Sequence, residues 1–162
     1  MDKLRKEYMF AFDLVTTVMQ TYAPNWETYS LIPRSDSESS CFTENVREAV
    51  KRTSDIQASH TASYAFDHWF KKQQINLENI KSLIQKVTVD FCMEEYNPVD
   101  FLEVCCLISE LSALAYIYGV WAAPQYSIFC ITHIMLYFQR CHQFTDSSWL
   151  DLDRCAQDLL LM

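Results

Sequence analysis

The sequence predicts an all-α protein, with residues 1–162 forming a single helical domain. The 162 residues include one glycine and four prolines, too few for the many tight turns of a β-sandwich or a β-barrel. Half of the residues are apolar, and most of them recur at the spacing of amphipathic helices. One segment, about 98–121, is apolar on almost all sides and must be surrounded by other helices. These observations predict seven to eight helices around that central helix.

A long loop is expected after the first predicted helix. In residues 2–21, apolar side chains at helical spacing form one stripe, namely Leu4, Tyr8, Phe12, Val15 and Met19. Residues 23–42 contain two prolines and five serines, which predicts a flexible loop. A second helix is expected to begin near Thr43, a suitable N-cap, and the apolar pattern changes phase around Ser59–Thr61. That change predicts one bent helix or two short helices.

Two asparagines mark the expected starts of the next helices. Asn76 can cap a helix whose apolar residues continue to Phe91. Asn97 is followed by Pro98, which suits the first helical position, and by the carboxylate of Asp100 in the first turn. This tetrapeptide is the strongest helix-start signal in the chain, and it opens the central helix.

The central helix and its successor form one long apolar region. Pro124 is expected to end the central helix and to begin the next one, over 126–138. A final helix is expected after Asp146 or Ser147. No segment has the length and the end anchors of a spanning helix, so we expect no integral membrane anchor. Inside the central helix, Glu110 needs either a partner or a route to water, and an Arg or Lys of another helix would serve as the partner.

The composition argues against several classes of function. With 13 basic and 21 acidic residues, the chain has a formal net charge of −8, which is unfavourable for a nucleic-acid partner. A single glycine excludes the glycine-rich loops that bind nucleotide phosphates. The seven cysteines include no C-x-x-C pair and are interpreted as reduced, buried thiols. Because neither the cysteines nor the four histidines have zinc-site spacing, we expect no metal and no cofactor, and a small Cys–His enzyme is the least favoured alternative.

Three segments carry a resemblance to a known family. Val50 lies four positions before Ser54, a small residue, which is followed by Asp55. The second segment is residues 87–102, which includes the asparagine tetrapeptide, and the third is the Ser-Ser-Trp sequence of residues 147–149. In order and spacing these segments resemble the third, first and second homology motifs of the Bcl-2 family of apoptosis regulators. The chain is most similar to the divergent members that large DNA viruses carry.

The resemblance implies a Bcl-2-type helical bundle and a binding function without enzymatic activity. It implies an inhibitor of host apoptosis that sequesters the amphipathic helix of a pro-apoptotic partner in an apolar groove. It also implies a place in the host cytoplasm, with attachment to mitochondria only through partners, and it leaves self-association through the groove open. The groove would lie between the helices of 44–70 and 77–93 and the start of the helix of 98–121. The candidate groove residues are Ile56, Phe66, Trp69, Ile84, Val87, Phe91, Asn97, Val99, Asp100 and Leu102.

The tetrapeptide departs from the family pattern. Where the family has Gly followed by Arg, this chain has Val99 followed by Asp100. In the family that Arg pairs with an Asp of the bound helix, so an acid here predicts a narrower range of ligands. The departure also suits an alternative function, the inhibition of innate inflammatory signalling through a surface outside the groove, as in some viral Bcl-2-like proteins. For Asp100 itself, stabilisation of the helix start is the structural alternative.

Overall fold

The described residues of the protein form helices and no β-strand, as the sequence predicts. The structure is a computed structural model that describes residues 2–26 and 41–162, with side chains from residue 5 onward. The predicted loop at 23–42 therefore lies largely outside the described residues. In chain order the elements are α1 (Asp2–Tyr22), α2 (Glu44–Thr53), a π-helical segment (Ser54–Ala58), α3 (Ser59–Trp69), α4 (Leu77–Cys92), α5 (Pro98–Ile117), α6 (Ala123–Arg140) and α7 (Ser148–Leu160).

Helix α5 lies at the centre of the bundle and packs against all of the other α-helices. Its buried side chains lie on every side of the helix and include Phe101, Ile108 and Leu111. A helix that is apolar all round is stable in water only when neighbours cover it in this way. The two ends are exceptions: Asp100 is exposed and Val99 is only partly buried in the first turn, and Ile117 is exposed in the last turn. Both ends of the central helix therefore reach the surface.

The central helix ends earlier than the sequence predicts. It stops at Ile117, and the chain is reversed by Gly119, whose φ is +95°. The N–H of Gly119 donates to the carbonyl of Tyr116, and the N–H of Val120 donates to that of Ala115. This pair of bonds is a Schellman motif, in which glycine adopts a backbone conformation that other residues rarely reach. The predicted end at Pro124 was wrong, because the glycine closes the helix first.

The phase change in the sequence corresponds to the π-helical segment. Residues 44–69 form one continuous helical run in which the segment Ser54–Ala58 joins α2 to α3. There the N–H of Ser59 donates to the carbonyl of Ser54, five residues earlier. A π-turn inserts one extra residue into the helical repeat, so the apolar stripe of α3 is rotated relative to that of α2. The run is one continuous helix rather than the two short helices that the sequence left as the other option.

Side-chain caps begin three helices at the positions predicted. The hydroxyl of Thr43 accepts the N–H of Val46, and the amide oxygen of Asn76 accepts that of Asn79. The amide oxygen of Asn97 accepts two bonds, from the N–H groups of Val99 at 2.9 Å and Asp100 at 3.2 Å. Such caps satisfy N–H groups that have no partner within the helix.

The last helix packs against α2. It begins at Ser148, as predicted. The guanidinium of Arg52 donates to the carbonyls of Leu159 and Leu160 and to that of Met162. A cation at this place satisfies carbonyl groups that the end of a helix leaves without partners. Among residues 2–26 and 41–162, no helix combines the length and hydropathy that crossing a bilayer requires.

Candidate functional site

A surface cavity of about 300 Å³ lies where the π-helical segment and α3 face the end of α4 and the first half of α5. We call it the groove cavity. Its lining residues are Thr53, Gln57, Ala58, Thr61, Phe91, Glu94, Asp100, Glu103, Val104 and Leu107. The cavity lies between the same three chain segments among which the resemblance places a ligand groove.

The apolar part of the cavity comes from two elements. Phe91 is near the end of α4, and Val104 and Leu107 are on α5; all three are partly buried and pack against the core. Across from them, Gln57 and Thr61 expose uncharged polar side chains. An apolar surface between polar edges is the arrangement that accommodates the apolar face of an amphipathic helix.

Three carboxylates also line the cavity. Glu94 follows the end of α4, and Asp100 and Glu103 lie in the first two turns of α5. Within the described part of the chain, none of the three forms an ion pair, and no Lys, Arg or His lines the cavity. Partial burial raises the pKa of Glu103, and the nearby charge of Asp100 raises it further. The groove cavity therefore combines an apolar surface with three carboxylates that pair with no basic residue of the described part of the chain.

The structure brings two of the ten predicted groove residues, Phe91 and Asp100, into this cavity. Three others are core residues, because Phe66, Ile84 and Leu102 are each at most 3% exposed. Their side chains support the helices around the cavity but do not line it.

The other five predicted residues do not line the cavity. Ile56 is 65% exposed on the π-helical segment. The indole N–H of Trp69 donates to the carbonyl of Asn79, which ties the end of α3 to the start of α4. Val87 and Val99 are partly buried against the core, and Asn97 acts as the cap of α5.

The sequence analysis missed most of the residues that line the cavity. On α5, Asp100 is followed by Glu103, Val104 and Leu107, at spacings of three, four and seven residues that place all four on one face. That spacing was readable in the sequence. What hid it was the apolar character of the whole helix, which gives no sign of which face is open to solvent.

A buried carboxylate connects the central helix to the π-helical segment. Glu110 is 3% exposed, and it accepts hydrogen bonds from the hydroxyls of Tyr22 and Ser54. Glu110 thus has the partners that the sequence required, but they are hydroxyl groups on both oxygens and not the Arg or Lys that could have served. Burial raises the pKa of Glu110, against the lowering effect of these two bonds. Because Ser54 is the first residue of the π-helical segment, the bond fixes one wall of the groove cavity to α5.

Two further cavities lie elsewhere on the surface. One, of about 450 Å³, lies between α4 and α6 and has apolar lining residues that include Val89, Met93 and Tyr137. We call it the α4–α6 cavity. The other, of about 400 Å³, lies between α1 and the segment that runs from the end of α6 to the start of α7. It is lined by Glu7, which is buried and whose Oε2 has no hydrogen-bond partner among the described residues. Trp149 of the Ser-Ser-Trp segment lines this second cavity and contacts the ring of Phe10.

The seven cysteines are all free thiols. Four of them are buried as predicted, but Cys41 and Cys92 are only partly buried and Cys141 is exposed. Burial raises the pKa of Cys105 and Cys106 on α5. In residues 2–26 and 41–162, no group of three or more metal-ligating side chains comes together.

Comparison of the chain with known protein families, with characterised proteins and with solved structures finds no match.

Proposed function

We propose that this protein inhibits host apoptosis by sequestering the amphipathic helix of a pro-apoptotic partner in the groove cavity. The observation that carries the proposal is the position of that cavity, between the π-helical segment with α3, the end of α4 and the start of α5. The three resembling sequence segments imply a groove in the same place. The mechanism is binding and competition, so no chemical step is involved.

The apolar side chains of such a helix would supply most of the affinity. Phe91, Val104 and Leu107 offer partly exposed apolar surface that a ligand would remove from water. Helix-in-groove complexes are held by anchors at i, i+3 or i+4, and i+7 on one face of the ligand. With three such residues at the cavity, we expect a few large anchor side chains to dominate the binding free energy.

The binding proposal is tested with a panel of pro-apoptotic helical peptides. Titration calorimetry should find at least one peptide with Kd below about 1 μM, equivalent to about −8 kcal/mol. The variant Leu107→Arg places a charge in the groove cavity and should abolish that binding while the helical circular-dichroism spectrum is retained. The matched control is Met93→Arg, on the exposed face between α4 and α6, which should bind as the unmodified protein does. If no peptide binds, the proposed function fails.

The alternative function, inhibition of innate inflammatory signalling, would use a surface outside the groove. The α4–α6 cavity favours it, because Met93 is 81% exposed and Val89 and Tyr137 are exposed beside it. A continuous exposed apolar patch of this kind is often a protein-interaction site. In a reporter assay of inflammatory signalling, loss of inhibition in Met93→Arg together with full inhibition in Leu107→Arg would support the alternative.

A further inference from the structure

We propose that the occupant of the groove cavity is a cationic amphipathic helix of a partner protein, with a Lys or Arg side chain placed against Glu94, Asp100 and Glu103. The inference rests on the proposed groove function and specifies the chemistry of its ligand. It reverses the charge pattern that the family resemblance implies, in which a basic groove residue meets an acid of the bound helix.

The charge of the groove cavity favours a basic residue on the ligand. All three titratable residues that line it are carboxylates, and no basic residue in the described part of the chain pairs with them. An acidic ligand residue brought into the cavity would meet like charge in a partly desolvated place, which disfavours binding. A basic residue would meet opposite charge and would form charge-assisted hydrogen bonds.

The order of the side chains along α5 indicates where on the ligand the basic residue would lie. Asp100 and Glu103 lie at the N-terminal end of the helix face, and Val104 and Leu107 continue that face toward the centre of the protein. A bound helix therefore meets carboxylates at one end of the cavity and apolar side chains at the other. We expect its basic residue to lie about one turn outside its apolar anchors, at one end only.

Other occupants suit the groove cavity less well than a cationic helix does. The three carboxylates do not form a group that could hold a metal ion. A second copy of the chain, with a net charge of −8, would be repelled as a whole. A cationic partner helix is attracted both by the lining carboxylates and by the net charge of the protein, so charge complementarity selects it.

The test uses one designed peptide scaffold, an amphipathic 20-residue helix with Leu anchors at i, i+4 and i+7. A single position one turn before or one turn after the anchors is Lys, Ala or Asp, which gives six peptides. In 50 mM NaCl, we expect the Lys peptide of one end to bind about 5–30-fold more tightly than the Asp peptide of that end. At the other end, the dissociation constants of the Lys, Ala and Asp peptides should differ by less than about twofold. The preference for the Lys peptide over the Asp peptide should become smaller at 500 mM NaCl, where the screening length is only a few ångströms.

Two triple variants show whether the preference for Lys comes from the carboxylates of the groove cavity or from the net charge of the protein. The groove variant, Glu94→Gln, Asp100→Asn and Glu103→Gln, should remove the preference for Lys. The control variant, Glu48→Gln, Glu78→Gln and Asp158→Asn, removes the same number of charges from exposed residues that do not line the cavity. It should keep the preference and its dependence on the end of the peptide.

The outcomes distinguish the inference from the function on which it rests. Peptides that bind equally well with Lys, Ala or Asp would overturn the cationic-ligand inference and leave the groove function standing. A preference for Lys that both triple variants lose equally would also overturn it, since net charge would then be the cause. No binding by any scaffold peptide and by any pro-apoptotic peptide would remove the groove function itself.

Discussion

Glu110 should make the stability of the protein depend on pH in a direction set by its burial. The comparison is between the unmodified protein and Glu110→Gln, which keeps the shape of the side chain without the charge. Burial raises the pKa of Glu110 in the folded protein above the value of about 4.3 for an unfolded chain. Between these two values the folded state binds more protons, so the free energy of unfolding falls as pH rises through that interval.

The assay is urea unfolding of both proteins at several pH values from 4 to 8. Other carboxylates titrate in both proteins, so their contribution cancels in the difference between the two free energies of unfolding. We expect the unmodified protein to lose stability relative to Glu110→Gln as pH rises, until the pH exceeds the folded-state pKa. A difference that is constant over this range, or one that moves the other way, would refute the assignment of burial as the dominant influence on Glu110.

The contribution of Glu110 to the free energy of unfolding can be judged from its two hydrogen bonds, to Tyr22 and Ser54. A bond to a charged group contributes about 1.5–3 kcal/mol. Ser54→Ala leaves the buried carboxylate with Tyr22 as its one donor among the described residues, so a loss of about 1.5–3 kcal/mol is expected at pH 7. For a domain of this length that loss lowers the Tm by about 3–12 °C. Ser59→Ala, whose exposed hydroxyl bonds only to the Asp55 carbonyl, is the matched control and should change the Tm little.

The remaining predictions concern helix ends. Gly119→Ala should destabilise the protein by about 1–2 kcal/mol because of its positive φ, although an added Cβ has no contact within 4 Å; Gly119→Asn should be milder, and urea unfolding compares the two. Asp100→Arg should lower the free energy of unfolding by about 0.3–1 kcal/mol, since the Asn97 cap is retained, and should shift the peptide preference toward Asp in calorimetry. Arg52→Ala should speed amide exchange at the end of α7, measured by mass spectrometry, more than it changes the Tm.

Local signals in this sequence predicted local structure well. The caps at Thr43, Asn76 and Asn97 were found because each depends on a side chain and an N–H two or three residues away. The end of α5 was missed although it is equally local. Apolar residues continue past Ile117 as far as Ala123, so the apolar pattern does not mark the end that Gly119 imposes.

The groove cavity was harder to predict because it depends on distant parts of the chain. Its lining combines residues from 53–61, 91–94 and 100–107, and their relative rotation is set by a π-turn that periodicity showed only as a loss of phase. The partners of Glu110 lie 56 and 88 residues away in the sequence, and hydroxyl donors leave no pattern that would identify them. The sequence indicated only that a buried charge there needs a partner or a route to water, for which an Arg or Lys would serve. Hydrogen bonds from two hydroxyl groups accommodate the buried carboxylate in a different way, while burial raises its pKa.

The central helix determines both walls of the groove cavity. On one face of α5, Asp100, Glu103 and Leu107 supply the carboxylates and part of the apolar surface. Through Glu110, one turn further along, α5 also holds Ser54 at the start of the π-helical segment that forms the opposite wall. Because π-turns are marginal helical conformations that need such support, loss of the Ser54 bond would alter the width of the cavity as well as the stability of the fold. Burial of a carboxylate in an otherwise apolar core is thus understandable as the means by which α5 positions the far wall of the groove cavity.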